Sequence, residues 1–274
     1  MTLKDAAQGS GAFETDEDCA RYEAILFDLD DTLYPLSSGL AAACRQNIEA
    51  YMVQKLGIDI HEVPALCTRL YKTYGTSMAG LWAEGWRFDQ DDFHRFVHGR
   101  LPYQLLRPDP FLRNLILSMP QRKFIFTNAD AVHAEIVLKK LGLEDCFEGI
   151  ICFETINRHP EFAKDQHSDS DVAASQPLIV CKPSQEAMRR AILLAEVDPA
   201  KTLYFDDSVR NIAGGKAAGL HTVLVGNSVK CEGADHAITS IHNVKEAIPE
   251  IWAEPHFFTE LRLSSNAVAL ETMA

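Results

Sequence analysis

The chain is short of positive charge. Its 274 residues carry 26 Lys and Arg against 39 Asp and Glu, a formal net charge of −13. Such a surface repels nucleic acid and anionic lipid, because both need Lys and Arg to neutralise phosphate. A phosphate-bearing ligand must then be captured by a local device, such as a metal or a helix N-terminus. Any C-x-x-C pair is also missing. The seven cysteines (Cys19, Cys44, Cys67, Cys146, Cys152, Cys181 and Cys231) are odd in number. Neither a disulfide framework nor a zinc-knuckle pattern fits, which points to a reducing compartment and to cysteines used as small buried hydrophobes. No apolar run approaches the length of a membrane span. The segment MTLKDAAQGSGAFETDEDCARYE has neither the apolar core of a signal peptide nor the Arg-rich character of a transit peptide. The expectation is a cytoplasmic protein with no membrane or nucleic-acid partner. Its oligomeric state is not encoded in any pattern here.

What is present is the composition of a globular protein, 47% hydrophobic and 24% charged. Five short apolar runs read as buried strands: Ala24–Phe27, Phe124–Phe126, Gly149–Phe153, Thr202–Phe205 and Thr222–Val225. Helical patterns lie between them. Val132, Ile136 and Leu141 stand near helical spacing before Gly142, and a second helix runs from Pro183 to Ala195. Non-alternating strands separated by helices predict an α/β fold with a parallel sheet covered on both faces. Residues 37–106 are different, with helical patterns and no clear strand (Leu40, Cys44 and Ile48; Leu66 and Leu70; Phe93, Phe96 and Val97). They predict a helical cap inserted over the carboxyl edge of the sheet. The expected layout is a flexible extension (1–22), a core (23–36 and 107–256), the cap (37–106) and a tail (257–274). Residues 158–177 are polar and irregular and read as a long mobile loop.

Four segments deliver polar residues to the ends of apolar runs. FDLDDTL, residues 27–33, puts Asp28 and Asp30 two residues apart with Asp31 beside them. Such crowded carboxylates need a cation, and hard oxygen ligands suit magnesium; alone, they also fit a solvated turn or a helix N-cap. FIFTNAD, residues 124–130, sets Thr127 and Asn128 between strand and helix, a phosphate cradle or an ordinary cap. CKPS, residues 181–184, offers Lys182 as a point charge for a phosphate or as a plain surface lysine. YFDDSVRN, residues 204–211, ends another strand in Asp206 and Asp207, with Asn211 a helical turn further on. Together, in the order Asp-x-Asp, Thr, Lys, Asp-Asp, the four segments carry far more weight than any one.

In that order the motifs resemble those of the haloacid dehalogenase-like hydrolase superfamily, from about Ile25 to Val225. The resemblance implies a Rossmann-like core and gives each residue a role. Asp28 matches the nucleophile that takes the phosphoryl group, and Asp30 the general acid and then base. Thr127 and Lys182 match the phosphate-holding groups, and Asn128 beside Thr127 is expected to bind phosphate with them. Asp207, supported by Asp206, completes a magnesium site with Asp28 and the Asp30 backbone carbonyl. Asn211 stands where many relatives carry another Asp, which puts a direct metal role for it in doubt.

The stretches FDLDDTLYP, YGTSMAGL, GRLPYQLLRPDP, FTNAD and FDDS further resemble the pyrimidine 5′-nucleotidase branch of fungi and plants. That implies a small-molecule phosphate ester substrate, a nucleoside monophosphate such as UMP or CMP. Specificity is then expected from the cap, with Tyr74, Gly75, Thr76 and Ser77 as a candidate loop. Trp82 and Trp86 fit either base stacking or cap core. Other readings are kept: a phosphatase of another small metabolite, a metal-free dehalogenase, a phosphoryl-accepting receiver module, or a catalytically weak regulatory protein. Asp30 and Asp207 argue against the dehalogenase, the late Asp206–Asp207 pair and the chain length against the receiver.

Overall fold

The computed structural model describes residues 21–163 and 178–253. The expected extension up to position 20, most of the expected 158–177 loop and all of the expected tail lie outside the described residues. Tyr22, at the end of the expected extension, is instead buried and meets His221 edge to face.

The chain enters the core through β1 (Ala24–Phe27), whose four residues are all buried. A strand covered on both faces has no use for alternation, which is why AILF reads as a continuous apolar run. The helical insertion follows: α1 (Leu40–Gln54), α2 (Val63–Tyr74), α3 (Ser77–Ala83) and α4 (Gln90–Val97). Then α5 (Pro110–Leu117) leads into β2 (Arg122–Phe126), α6 (Ala131–Leu141), β3 (Gly149–Ile151), α7 (Phe153–Arg158) and α8 (Pro160–Ala163). After the undescribed segment come α9 (Gln185–Ala195), β4 (Thr202–Asp206), α10 (Val209–Ala217), β5 (His221–Val225), β6 (His236–Ile238) and α11 (Val244–Ala247).

The six strands form one sheet in the order β3-β2-β1-β4-β5-β6, and every pairing is parallel. This is the Rossmann-like arrangement, in which the strand order reverses at β1 and ligands bind beyond the carboxyl ends of the strands. One apolar cluster lies under α5, α6 and α11 (Leu112, Val137, Leu138, Val244), a second under α9 (Leu26, Met188, Tyr204). The insertion has its own core around Tyr51, Leu70, Phe93 and Phe96. Helix α10 lies close on β4: a Cβ at Gly215 would stand 2.6 Å from the Tyr204 ring. No helix among the described residues is long and apolar enough to cross a membrane.

Several expectations need correction. Strand β6 is only three residues long and escapes a pattern search. Phe153 does not end a strand; it opens α7. The apolar run Leu178-Ile179-Val180, not among the expected strands, has no regular structure, and Lys182 arrives on a loop. Residues 160–163 form α8 rather than irregular chain, anchored by buried Phe162 beneath the Arg190 guanidinium. The inward face of α6 is His133, Ala134, Val137, Leu138 and Leu141, while Val132 is exposed.

Candidate active site

The predicted motif residues meet at the carboxyl edge of the sheet around one ammonium group. Lys182 is 1% exposed, and its Nζ donates to Asp28 Oδ1 (2.7 Å), Asp206 Oδ2 (2.9 Å) and the Phe126 carbonyl (2.8 Å). Three donors and three acceptors leave no unmet bond on this buried cation. Burial opposes its charge, but Asp206 and Asp28 outweigh that and hold Lys182 above its usual pKa. The lysine loop is fixed by Asn128. Its Oδ1 accepts from the Lys182 N–H (2.8 Å), and its Nδ2 donates to the Lys182 carbonyl (3.2 Å). Asn128 therefore places the cation. The Thr127 hydroxyl is buried and accepts from the Ala129 N–H at 3.0 Å.

Asp28 follows β1 directly, and its N–H still donates to the Phe205 carbonyl (2.8 Å), so β4 fixes its backbone. The Thr32 hydroxyl donates to Oδ2 at 2.8 Å. Burial raises the Asp28 carboxyl above the usual range while Lys182 pulls it down. Asp206 is fully buried and saturated. Besides Lys182 it accepts from the Tyr204 hydroxyl, the Ser208 N–H (2.8 Å) and Asn211 Nδ2 (3.0 and 3.1 Å to its two oxygens). Asn211 thus steadies Asp206. Asp207 is exposed. Partial burial among the other acids, then repulsion from Asp206 and Asp31, push it up to about 7, a shift that its contact with water moderates.

Asp28, Asp206 and Asp207 each bring a carboxylate oxygen to within 4.8 Å of the others. Asp31 sits close by, and its buried Oδ1 has no partner. Burial and then Asp30 raise Asp31 to about 6. A single ammonium does not balance this many carboxylates, and the donor set is all hard oxygen. These residues fit a hard divalent cation.

Asp30 is turned to a different set of groups. Its Oδ1 accepts from the Tyr34 hydroxyl (2.5 Å) and from His133 Nε2 (2.7 Å), and the Tyr103 hydroxyl meets His133 Nδ1 at 2.9 Å. Burial pushes Asp30 up, yet the His133 ring, its hydrogen bond and Tyr34 outweigh this and hold it at about 2. For His133 burial works against the cation, but Asp30 prevails and raises the ring's pKa. The two groups therefore hold one proton between them. Sequence reasoning missed His133, Tyr34, Tyr204 and Thr32. Tyr204 lies two residues before Asp206 on the same strand, hence on the same face. The phase of α6, taken from Val132, hid His133.

A cavity of about 270 Å³ separates Asp30, Thr127 and Asn128 from the insertion. The insertion contributes Gly75, Thr76, Ser77, Met78, Phe93 and His94 to its wall. The expected loop 74–77 is in fact the junction of two helices. Tyr74 ends α2, Gly75 caps it, the Thr76 hydroxyl accepts from the Ala79 N–H (3.1 Å), and Ser77 opens α3. Gly75 has φ +92, and a Cβ there would stand 2.4 Å from the Lys182 carbonyl, so the junction rests on the lysine loop. Tyr74 does not line this cavity. Trp82 and Trp86 do not either: Trp82 packs edge-on to Phe88 under Arg87, and Trp86 joins the insertion core.

A parallel sheet of this order, with acids and a lysine gathered at its carboxyl edge and helices inserted after the first acid, defines a class of hydrolase. The chain belongs to the haloacid dehalogenase-like hydrolases, whose family model matches residues 22–219. It is similar to phosphate metabolism protein 8 of Saccharomyces cerevisiae, 27% identical over 241 residues, covering 84% of this chain and 70% of that protein. It is also similar to glyceraldehyde 3-phosphate phosphatase of Methanocaldococcus jannaschii, 24% identical over 232 residues, with 82% and 95% covered. Among solved structures it shares its fold with CbbY from Rhodobacter sphaeroides in complex with phosphate (TM-score 0.54, 21% identity, 84% of this chain and 99% of that one). It also shares it with the putative hydrolase YfnB from Bacillus subtilis bound to magnesium (TM-score 0.52, 20% identity, 82% and 98%).

Proposed function

We propose that this hydrolase is a magnesium-dependent phosphatase of small phosphate monoesters that works through a phosphorylated Asp28. The observation that carries the reading is the buried Lys182 ammonium bonded to both Asp28 and Asp206 at the sheet edge, next to the cavity that Asp30 and Thr127 line. In the first step an Asp28 oxygen attacks phosphorus, the ester P–O bond breaks, and the leaving oxygen takes the proton that His133 and Asp30 share, passed from the imidazole through the Asp30 carboxylate. In the second, water attacks the aspartyl phosphate and gives a proton back to Asp30; inorganic phosphate leaves and the carboxylate is restored. Lys182 offsets charge on both the nucleophile and the phosphoryl oxygens. Asp28, Asp207 and the Asp30 carbonyl would hold the magnesium ion, with Asp206 behind them; when bound it supplies further charge neutralisation there.

The shared proton of Asp30 and His133 gives the acid role a specific test. Asp30→Asn should slow esters with an alkoxide leaving group, such as ribose 5′-oxygen, by about 10²–10⁴-fold. 4-Nitrophenyl phosphate, whose phenolate departs without a proton, should suffer far less. His133→Phe should show the same selectivity at roughly a tenth to a hundredth of wild-type turnover on alkyl esters. A merely structural histidine would slow both ester types alike, so equal losses would remove His133 from the proton path.

Metal binding should be visible in stability. Asp207 sits at about 7 in the fold against an ordinary 3.8, so without metal its contribution is lost as pH rises between those values. Histidines that burial holds down, such as His94, act in the opposite sense at lower pH. The difference in Tm between magnesium and chelator isolates the acids. It should grow from pH 5 to pH 8, reaching about 5–10 °C at magnesium near 100 Kd. A difference that is flat or falls with pH would remove these carboxylates from the metal site.

The finer assignment is a pyrimidine nucleoside 5′-monophosphate. Its support is the resemblance of the insertion stretches to that branch, together with a small cavity walled by Phe93, Met78 and Phe153. A single-ring base suits that space better than a purine. A second reading, a triose or sugar phosphate, draws on the similarity to the Methanocaldococcus phosphatase. Phosphate release from a panel of esters with magnesium decides between them. UMP and CMP should exceed AMP and GMP in kcat/KM by about tenfold or more, roughly 1.4 kcal/mol. Glyceraldehyde 3-phosphate leading the panel by that margin would replace the nucleotide assignment and leave the phosphatase chemistry standing.

A further inference from the structure

A second cluster of ligand-type side chains lies on the cavity wall away from the acidic site. His94 and His98 stand four residues apart at the end of α4, so they share one helix face. Asp130, the N-cap of α6, reaches them from the core, two residues after Asn128. Each of the three offers a ligand atom within 4.8 Å of the others. The Asp130 carboxylate is in direct contact with His98 Nδ1 and stands 3.6 Å from His94 Nδ1, too far for a hydrogen bond. His94 is 6% exposed, yet neither ring nitrogen has a hydrogen-bond partner. A buried imidazole with two unmet nitrogens is costly unless something else takes a lone pair.

We infer that His94, His98 and Asp130 form a binding site for a divalent transition ion of the zinc class, joining the helical insertion to the β2–α6 turn. Two imidazoles and one carboxylate are a common donor set for such ions, and nitrogen ligands disfavour magnesium. With bonds of about 2.0–2.1 Å, tetrahedral ligand atoms stand about 3.3 Å apart. His94 Nδ1 and Asp130 Oδ1 are already near that spacing, and a small movement of His98 from Asp130 would admit the ion. The second Asp130 oxygen accepts from the His133 N–H at 3.3 Å, which orients the carboxylate from behind. The fourth position opens on the cavity, where His94 and His98 share the wall with Asp30 and Thr127. Since two ligands belong to the insertion and one to the sheet edge, the bound ion would fasten the insertion shut over the cavity.

The test needs no substrate and does not depend on the phosphatase reading. The untagged full chain, held in saturating magnesium so that the Asp28–Asp206–Asp207 site is filled, is titrated with cobalt(II). The expected result is one equivalent with the intense visible d–d absorption of a nitrogen-ligated four- or five-coordinate ion, discharged by zinc. His94→Gln and His98→Gln should each weaken cobalt binding by about 10–100-fold or more, with far-ultraviolet dichroism unchanged, and Asp207→Asn should leave it intact. Absence of that absorption in the wild type would overturn the site whatever the variants do. So would a cobalt signal that survives His98→Gln and disappears in Asp207→Asn, because the ion would then be occupying the acidic site.

Discussion

Asp28→Asn should release phosphate from every ester at no more than about a thousandth of the wild-type rate, a barrier increase of roughly 4 kcal/mol. The substitution keeps the side chain's shape and removes the anion. In the fold, the Asp28 oxygens accept from Lys182 Nζ and the Thr32 hydroxyl, so the carboxylate is held by donors on both oxygens with no base needed to activate it. An amide at the same place is a poor nucleophile and also turns an N–H group toward one of those donors. The fold should survive. Burial raises the Asp28 carboxyl, so ionised Asp28 costs stability as pH rises, and the neutral amide removes that cost. Tm of the variant without metal should therefore fall less than that of wild type between pH 5 and pH 8. Rapid acid quench with a phosphoryl-labelled ester should trap labelled protein from wild type and none from the variant. Wild-type turnover in Asp28→Asn, with the label still on the chain, would move the covalent step to another residue.

What the sequence made legible was backbone position, and what it hid was side-chain partnership. β1 and β4 are buried on both faces, so their continuous apolar runs reveal both the strands and where they stop, and the acids that follow must lie at the sheet edge. The family motifs add roles to those edge residues. Other residues can be read from sequence in type but not in job. Asn128 reads as a phosphate ligand beside Thr127, and nothing in the sequence shows that its amide also bonds the Lys182 backbone 54 positions away. Asp206 and Asp207 look equivalent on paper. In the fold Asp206 ends β4, buried and saturated, while Asp207 lies just beyond the strand and reaches solvent. The junction at 74–77 looks like a loop because Gly and Thr punctuate it, yet both are helix caps. His133 was concealed by an apolar residue, Val132, that faces water. Exposed apolar residues are ordinary, and one of them is enough to turn a short helix's apparent face by a residue.

Lys182→Met should damage stability and turnover together, and its stability loss should depend on pH. Methionine matches the stem's length and removes only the charge. In wild type the ammonium is bonded to Asp28, Asp206 and the Phe126 carbonyl with no water access. Its removal leaves buried carboxylates facing one another, and breaking a buried pair in this way costs about 3–5 kcal/mol. For a chain of this size that is about 6–20 °C in Tm. A solvated surface lysine would cost within about 0.5 kcal/mol. The sign with pH follows from Asp28. Its folded pKa already lies above the ordinary value through burial, and the lysine is the chief influence lowering it. Without Lys182 that pKa rises further, so the fold holds a proton that the unfolded chain has released, and stability falls as pH rises from the ordinary value of 3.8 toward the folded one. The Tm difference between wild type and variant should therefore be smaller at pH 5 than at pH 8. Turnover follows the same proton, because protonated Asp28 does not attack phosphorus. At pH 7 kcat should fall by about a hundredfold or more, roughly 2.7 kcal/mol, and KM should rise because the phosphate loses a counter-charge in the ground state as well. A scan of kcat and Tm against pH in Lys182→Met measures both effects. A variant with wild-type Tm at pH 8 and unchanged kcat would mean that Asp28 and Asp206 do not depend on this ammonium, and the site geometry would have to be redrawn around another cation.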